Sequence, residues 1–266
     1  MVNKIIDCFT FYNELKILKF RLEYLYDHVD YFVIVEGTLS HAGKPKELFY
    51  QNNKDQFEKY KDKIIHVIVS DMKTIEEAPD AWVRENYQRN CIDKGIKELK
   101  LNDNDIIHIS DADEIPDKKI LIHFRYNELN NNTRYAILQD FYYYNLNCRF
   151  KNKWNYARIV NYYTYKNMFN RQPQDIRLKD FHNYTPIEKG GWHFSYLGDI
   201  NFIVNKLKNF AHQEFNNENY VNPEKIQTHI NNNVSIFDDL NINNSGGKYI
   251  SFEDNDYLPE NYQMLI

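Results

Sequence analysis

The sequence has few of the residues that build several common kinds of site. Its three cysteines, Cys8, Cys91 and Cys148, are too few and too widely spaced for a disulfide framework or a zinc site. We therefore expect reduced thiols. Glycine occurs only 8 times, and neither a G-x-G-x-x-G nor a Walker lysine motif is present. A nucleotide bound here would need something other than a glycine loop to hold its phosphates.

Basic charge and long apolar runs are also scarce. The formal net charge is −5, without the global basic footprint of a nucleic-acid-binding protein. No stretch approaches the roughly 18 apolar residues of a membrane span, and the N-terminus has no signal-peptide apolar core. We expect a cytoplasmic protein with no transmembrane segment and no nucleic-acid partner.

Apolar runs and amphipathic stretches alternate over the first 125 residues. Leucines at i, i+3, i+7 and i+10 from Leu15 predict a helix, and a long helix is predicted over 79–99, with Val83 and Tyr87 on its apolar side. Strands are predicted at 4–11, 31–35, 64–69 and 106–110. Buried strands that alternate with helices are typical of an α/β domain with a mostly parallel central sheet flanked by helices.

The second half has a different pattern. Strands are predicted at 135–145, 157–165 and 190–196, and helices at about 198–210 and 223–237. Residues 149–179 carry eight Lys or Arg against one acid, interleaved with tyrosines. Such a stretch is suited to a diphosphate or a glycan, but it is also typical of a solvated face. The polar tail from residue 241 is expected to wrap the surface or to fray.

Three carboxylates in four residues, Asp111, Asp113 and Glu114, follow the apolar run 106–110. Pro116 is expected to open the next helix. In an open α/β sheet, ligands bind at the carboxyl ends of the strands. Residues i and i+2 of an extended segment point the same way, so Asp111 and Asp113 are expected to converge. A cation would relieve their repulsion, and hard oxygen ligands favour Mg²⁺ or Mn²⁺. The alternative is a solvated acidic turn that caps a helix.

Six stretches, taken in order, resemble glycosyltransferase family 17. They are DCFTFYNE (7–14), VIVE (33–36), Trp82 with QRN (88–90), ISDADEIP (109–116), GGWHFSY (190–196) and FAHQEF (210–215). The resemblance implies a single domain with a GT-A-like, Rossmann-like fold, a UDP-sugar donor, a divalent metal and inversion at the anomeric carbon. It divides the chain into a nucleotide-sugar half at about 1–125, an acceptor half at about 126–240 and a tail at 241–266.

The resemblance also assigns residues to the donor and the metal. Asp111 and Asp113 fall on the family's Asp-x-Asp, with Mn²⁺ or Mg²⁺ as the metal. Glu36, Arg89, Trp192 and His193 fall on other family positions, and we assign Glu36, Arg89, Asp111 and Trp192 to donor binding. His193 is the candidate third metal ligand, although a lone histidine is more often a hydrogen-bonded core residue.

Further donor residues are predicted from their positions at the ends of the first two strands. Phe11 and Glu14, with Glu36, are expected to line the uridine side. The alternatives are core packing for Phe11 and helix-dipole complementation for Glu14. Arg89 suits phosphate, but an i, i+4 ion pair with Glu85 competes with that role.

An inverting transferase needs a base for the acceptor hydroxyl. Asp199 is our first candidate by position, with a plain helix N-cap as the alternative, and Glu214 is the second. The predicted function is transfer of a sugar, GlcNAc in the family's best-known case, from a UDP-sugar to a glycan or glycoprotein. The competing classes are a metal-dependent nucleotidyltransferase or phosphohydrolase and a non-catalytic glycan-binding module. The founding enzymes of the family have a membrane anchor, which this sequence does not show, so a different glycan-building role is expected.

Overall fold

The computed structural model describes residues 2–237 and 248–266, which contain a ten-stranded sheet with helices on its faces. The strands are β1 (Ile5–Phe11), β2 (Tyr31–Gly37), β3 (Ile64–Val69), β4 (Ile106–Asp111), β5 (Glu114–Pro116), β6 (Tyr135–Tyr143), β7 (Cys148–Trp154), β8 (Arg158–Asn161), β9 (Thr185–Ser195) and β10 (Lys248–Tyr249). The helices are α1 (Leu15–Leu25), α2 (Phe49–Asn52), α3 (Ala81–Asn90), α4 (Ile92–Ile96), α5 (Lys118–Tyr126), α6 (Tyr162–Asn167), α7 (Pro173–Leu178), α8 (Ile200–Asn209) and α9 (Pro223–Asn232). The predicted α/β class with a central sheet flanked by helices is confirmed. The sheet is mixed and not mostly parallel as predicted, because the described strands form four parallel and five antiparallel pairs.

The parallel strands form a topological switch point, which is the place where the chain crosses from one side of β1 to the other. The strands β4, β1, β2 and β3 lie side by side and parallel, so the chain runs outward from β1 to β3 and then returns to the other side of β1. Thr10 at the end of β1 lies opposite Asp111 at the end of β4. The acidic turn, residues 111–114, therefore lies at the position where open α/β sheets bind their ligands.

The second half of the chain adds mainly antiparallel pairs. The strands β8, β6, β7 and β10 extend the sheet beyond β4 in antiparallel pairs, and β9 runs parallel to β6 and antiparallel to β5. Only residues 144–147 separate β6 from β7, and so short a link cannot make a parallel crossover.

Several of the predicted elements begin or end differently. The helix predicted over 223–237 ends at Asn232, and the strand predicted over 190–196 begins at Thr185. The helix over 79–99 is two helices, with Cys91 between them. The strand at 157–165 ends at Asn161, because the Asn161 side chain accepts the Thr164 N–H at 2.9 Å and caps α6. Pro116 does not open a helix: it ends β5 opposite Gly191, and Asp117 caps α5 instead.

Apolar side chains fill both faces of the sheet. Alternate residues of β1 point to opposite sides, with Ile5 and Phe9 toward α1 and Ile6 and Cys8 toward α4. A third apolar cluster lies between the sheet and helices α8 and α9. All three cysteines are buried and unpaired, as expected. Among the described residues, no helix combines the length and apolar character needed to cross a membrane.

The described part of the C-terminal tail packs onto the protein. Leu265 is buried, and the Trp192 indole donates to the Tyr257 carbonyl at 2.9 Å. The predicted wrapping of the surface thus holds for residues 248–266, whereas residues 238–247 lie outside the described part.

Candidate active site

The buried side chain of Arg21 binds the backbone of the acidic turn. Arg21 lies on α1, and its Nη1 donates to the carbonyl oxygens of Asp111, Ala112 and Glu114 at 2.9, 3.2 and 3.1 Å. Three carbonyls that converge on one guanidinium fix the path of the backbone. The backbone of the turn is therefore rigid, and it fixes the positions from which the acidic side chains extend.

The same arginine belongs to a buried ion-pair network. Its Nε and Nη2 donate to both oxygens of Asp7 at 2.8 and 2.6 Å, and Nη2 also donates to Ser110 Oγ at 2.7 Å. His108 Nδ1 lies 2.7 Å from Asp7. Burial alone would raise the pKa of Asp7, but Arg21 and His108 hold it well below its usual range. Burial also lowers the pKa of His108.

Two arginines from different helices bind the first carboxylate of the turn. Arg89 Nη2 on α3 is 2.9 Å from Asp111 Oδ1, and Arg177 Nη2 on α7 is 2.6 Å from Oδ2. Arg177 also donates to both oxygens of the buried Glu114 at 2.6 Å. Burial would raise the pKa of Asp111, but Arg177 and Arg89 outweigh it and lower that pKa. The Asp111 side chain is 34% exposed, so it remains open to a ligand.

A lysine and a histidine lie beside the second carboxylate. Lys206 Nζ on α8 is 2.7 Å from Asp113 Oδ2, and His193 Nε2 on β9 is 3.4 Å from Oδ1. Burial would raise the pKa of Asp113, but Lys206 and His193 together lower it. Lys206 also lies 3.7 Å from Glu14 Oε1, which brings the end of β1 into the cluster.

His193 is held by aromatic rings. It stacks on Phe141 with 4.9 Å between ring centroids and lies 4.3 Å from the Trp154 ring. The residue is only 5% exposed, and its Nδ1 has no hydrogen-bond partner among the described residues. The structure thus fixes the ring beside Asp113, as a core residue or as a ligand.

The acidic turn has two carboxylates that could bind a divalent cation but does not form a complete ligand cage with other described residues. Asp111 and Asp113 do not lie on an extended segment, because the chain turns at residues 112 and 113. Within residues 2–237 and 248–266, no group of three His, Cys, Asp or Glu side chains is assembled as a metal cage. Mg²⁺, however, is usually bound by one or two carboxylates together with substrate phosphates. A two-carboxylate turn is consistent with that mode of binding.

The charge of the cluster also fits a divalent cation. Its ion-paired carboxylates are Glu14, Glu85, Asp111, Asp113 and Glu114, and its cations are Arg89, Arg177 and Lys206. Three positive against five negative groups leave a net charge of −2 when histidines are counted as neutral. The residues present are therefore compatible with a divalent cation, which Asp111 and Asp113 would hold.

Three other predicted donor residues lie outside this cluster. Phe11 is buried in the core. Glu36 is buried at the end of β2, where it accepts the Tyr50 N–H at 3.1 Å and so supports the start of α2. Trp192 alternates with His193 along β9 and packs on the α1 side of the sheet, 5.8 Å from the Tyr24 ring. Their predicted role in donor binding stays a prediction.

The two candidate bases both flank α8. Asp199 accepts the Phe202 N–H at 2.7 Å and caps the helix. It precedes Lys206 by seven residues, which is about 10 Å along a helix axis. Glu214 follows the helix, is 57% exposed and hydrogen-bonds His212 at 2.7 Å. The catalytic role of each remains a prediction.

Three basic residues that bind the acidic turn were not predicted from the sequence. They are Arg21, Arg177 and Lys206. Arg177 was counted only as one charge within the basic stretch, and nothing local distinguishes Arg21 or Lys206. Arg89 was singled out, and it keeps both of its alternatives, because it pairs with Glu85 at 2.8 Å and with Asp111 at 2.9 Å.

Comparisons with known proteins place the chain in a family. The model of glycosyltransferase family 17 matches residues 1–245. The β-1,4-mannosyl-glycoprotein 4-β-N-acetylglucosaminyltransferases of Rattus norvegicus and Homo sapiens are each 28% identical over 117 residues, which cover 42% of this chain. The match spans 22% of the length of each of these relatives.

Two solved structures align with part of the chain. The glycosyltransferase GlyE of Streptococcus pneumoniae, in its apo form, aligns over 71% of this chain and 46% of its own at 10% identity, with a TM-score of 0.40. The 4-diphosphocytidyl-2C-methyl-D-erythritol synthase of Anaerococcus prevotii aligns over 70% and 87% at 10% identity, with a TM-score of 0.39. The family match extends over most of the sequence, including the acidic turn and the β9 strand, and the chain belongs to glycosyltransferase family 17.

Proposed function

We propose that this protein is an inverting, metal-dependent glycosyltransferase that moves a sugar from a UDP-sugar donor to a glycan or glycoprotein acceptor. GlcNAc is the proposed sugar, because the similar rat and human proteins are named N-acetylglucosaminyltransferases. The observation that carries the proposal is the position of Asp111 and Asp113. They stand at the switch point between β1 and β4, in a cluster with a net charge of −2.

The proposed donor site has distinct parts. Asp111 and Asp113 would hold Mn²⁺ or Mg²⁺, which when bound supplies positive charge to the leaving diphosphate. Arg89 and Arg177 hold Asp111 in place, and their guanidinium groups add positive charge at the same edge of the sheet. Arg21 keeps the turn rigid, so the two carboxylates need little reorganisation when the donor binds.

The acceptor is proposed to approach from the side of α8 and β9. Inversion by a single displacement requires a base that removes the proton from the acceptor hydroxyl. We assign this role to Asp199, whose carboxylate stands at the start of α8, and keep Glu214 as the second candidate. On β9, His193 lies 3.4 Å from Asp113 Oδ1 and packs on the Trp154 ring.

Calorimetry of UDP binding, with and without Mn²⁺, tests the proposal. We expect wild-type protein to bind UDP more tightly with Mn²⁺, and Asp111→Asn/Asp113→Asn to lose this dependence on the metal. Asp140→Asn is the matched control, because Asp140 is also buried and ion-paired, to Arg149 and Lys153, but lies on the opposite face of the sheet from His193. It should bind UDP like wild type.

The outcomes separate the competing classes. Metal-dependent binding that is absent only from the double variant supports the donor site and justifies a screen of UDP-sugars for hydrolysis and transfer. Absence of UDP binding under both conditions contradicts the proposal. Sugar binding without any nucleotide would instead favour a glycan-binding module. Circular dichroism of each variant establishes that lost binding is not lost folding.

A further inference from the structure

Lys206 forms an ion pair with one carboxylate oxygen of Asp113, which is a proposed metal ligand. Its Nζ is 2.7 Å from Asp113 Oδ2 and 3.7 Å from Glu14 Oε1, and it lies 5.4 Å from the centre of the Tyr196 ring. The side chain is 19% exposed, so solvent screens the pair only in part. This is the one contact among the described residues that places a lysine on the acidic turn.

Helix α8 is held by contacts along its length, whereas Lys206 has a long and intrinsically flexible side chain. The helix begins at the Asp199 cap, and Asn205 accepts a hydrogen bond from Asn13 at 3.3 Å. Near its end, the Ala42 N–H donates to the Asn209 carbonyl at 3.1 Å. A lysine ammonium stands on a flexible four-carbon chain, in contrast to the rigid fork of an arginine. The Nζ of Lys206 can therefore leave Asp113 without a shift of the helix.

A divalent cation and the Lys206 ammonium compete for the same carboxylate. Two cations a few ångströms apart in a partly buried site repel each other strongly. Metal binding to Asp113 therefore includes the cost of displacing the ammonium. A donor diphosphate would offset that cost, because it supplies the displaced ammonium with a new anionic partner and completes the metal's ligand shell.

We propose that Lys206 makes metal binding depend on the nucleotide: it holds Asp113 in the free protein, yields it to the cation when a nucleoside diphosphate arrives, and then pairs with that diphosphate. The inference rests on the proposed function and adds to it a coupling residue. Lys206 acts through Asp113 in the free protein and would contact the diphosphate only once the nucleotide is bound. By linkage, the metal and UDP should each raise the affinity for the other by the same factor.

The test measures Mn²⁺ binding without any catalytic assay. The electron paramagnetic resonance signal of free Mn²⁺ gives the Mn²⁺ affinity of wild type and Lys206→Gln, with and without UDP. We expect Lys206→Gln to bind Mn²⁺ alone about tenfold more tightly than wild type, within the usual range of coupling factors. The factor by which UDP raises Mn²⁺ affinity should be correspondingly smaller in the variant.

Two further variants complete the design. Lys208→Gln removes an exposed lysine from the same helix and should behave like wild type. Lys206→Arg keeps the charge and offers a bidentate fork to Asp113, so its affinity for Mn²⁺ alone should not exceed that of wild type. If Lys206→Gln does not fold, the affinity of Lys206→Arg for Mn²⁺ without UDP is the test. Tighter binding by Lys206→Arg than by wild type would overturn the inference.

The failures of the two proposals give different results. If UDP strengthens Mn²⁺ binding in wild type but Lys206→Gln leaves both affinities unchanged, the role of Lys206 is wrong and the donor site stands. If wild type binds neither UDP nor Mn²⁺ with the other present, the proposed function itself is contradicted.

Discussion

At the scale of single residues, Arg21 is the support on which the proposed donor site depends. Six of its hydrogen bonds connect α1 with Asp7, Ser110 and three carbonyls of the acidic turn. Both Arg21 and Asp7 are completely buried, so neither charge has water as an alternative partner. Removing one member of such a pair leaves the other buried and uncompensated.

We expect Arg21→Met to lower the free energy of unfolding by about 3–5 kcal/mol, the usual loss when one partner of a buried ion pair is removed. Urea denaturation followed by circular dichroism measures it. Arg125→Met is the comparison, because Arg125 pairs with Asp30 in a partly exposed position, with side chains 16% and 31% exposed, where solvent screens the pair and the loss should be smaller. Equal losses in both variants would contradict the structural role assigned to Arg21.

Sequence distance explains which site residues could be predicted. Asp111 and Asp113 were found because their signal is local: an apolar strand followed directly by carboxylates. The residues that bind this turn were not found, because Arg21, Arg177 and Lys206 are separated from it by 90, 66 and 93 residues along the chain. Only the folded sheet brings them together, and no short pattern in one sequence carries that information.

At the scale of elements, α3 shows how a site can reverse the usual pattern. Its apolar Val83 and Tyr87 were predicted to face the core, but they are 37% and 38% exposed. Arg84, Gln88 and Arg89 are buried instead. The reason is that α3 crosses the polar carboxyl edge of the sheet, where Gln88 donates to the Val35 carbonyl at 2.9 Å. Hydrophobic periodicity therefore predicted helical structure here, but it missed the break at Cys91 and predicted the buried side of α3 wrongly.

Asp199 caps helix α8, and substitutions can separate this role from its proposed catalytic role. Asparagine caps a helix about as well as aspartate, whereas alanine costs about 1 kcal/mol. We expect Asp199→Asn to keep wild-type stability and to lose at least about a hundredfold in the rate of sugar transfer, as loss of a general base does. Asp199→Ala should lose both stability and rate.

Thermal unfolding and turnover of the UDP-sugar identified in the hydrolysis screen measure the two effects. Undiminished turnover by Asp199→Asn would remove Asp199 as the base and leave Glu214 as the candidate. Glu214→Gln is the matching variant, because Glu214 is exposed and its loss should not affect stability.

At the scale of the whole molecule, the two halves share one sheet. Strand β4 of the first half pairs with β8 of the second over four residues, and both strands are buried. The C-terminal segment adds a second connection, since Leu265 packs in the cluster that contains α1 while Tyr257 packs on Trp192 of β9. Two of the three apolar clusters combine residues of both halves, whereas the third lies within the second half. The single domain stays a prediction, which the shared contacts favour.

We therefore expect one cooperative unfolding transition despite the length of 266 residues. In calorimetry, the van't Hoff enthalpy should equal the calorimetric enthalpy. Urea unfolding followed by tryptophan fluorescence should coincide with that followed by circular dichroism. Trp82 reports on the first half, and Trp154 and Trp192 report on the second, so a Trp82→Phe variant assigns the fluorescence change to the second half. A second half that unfolds at a lower urea concentration than the whole would show that the acceptor side is an independent unit, and the shared sheet would then not couple the two proposed binding sites.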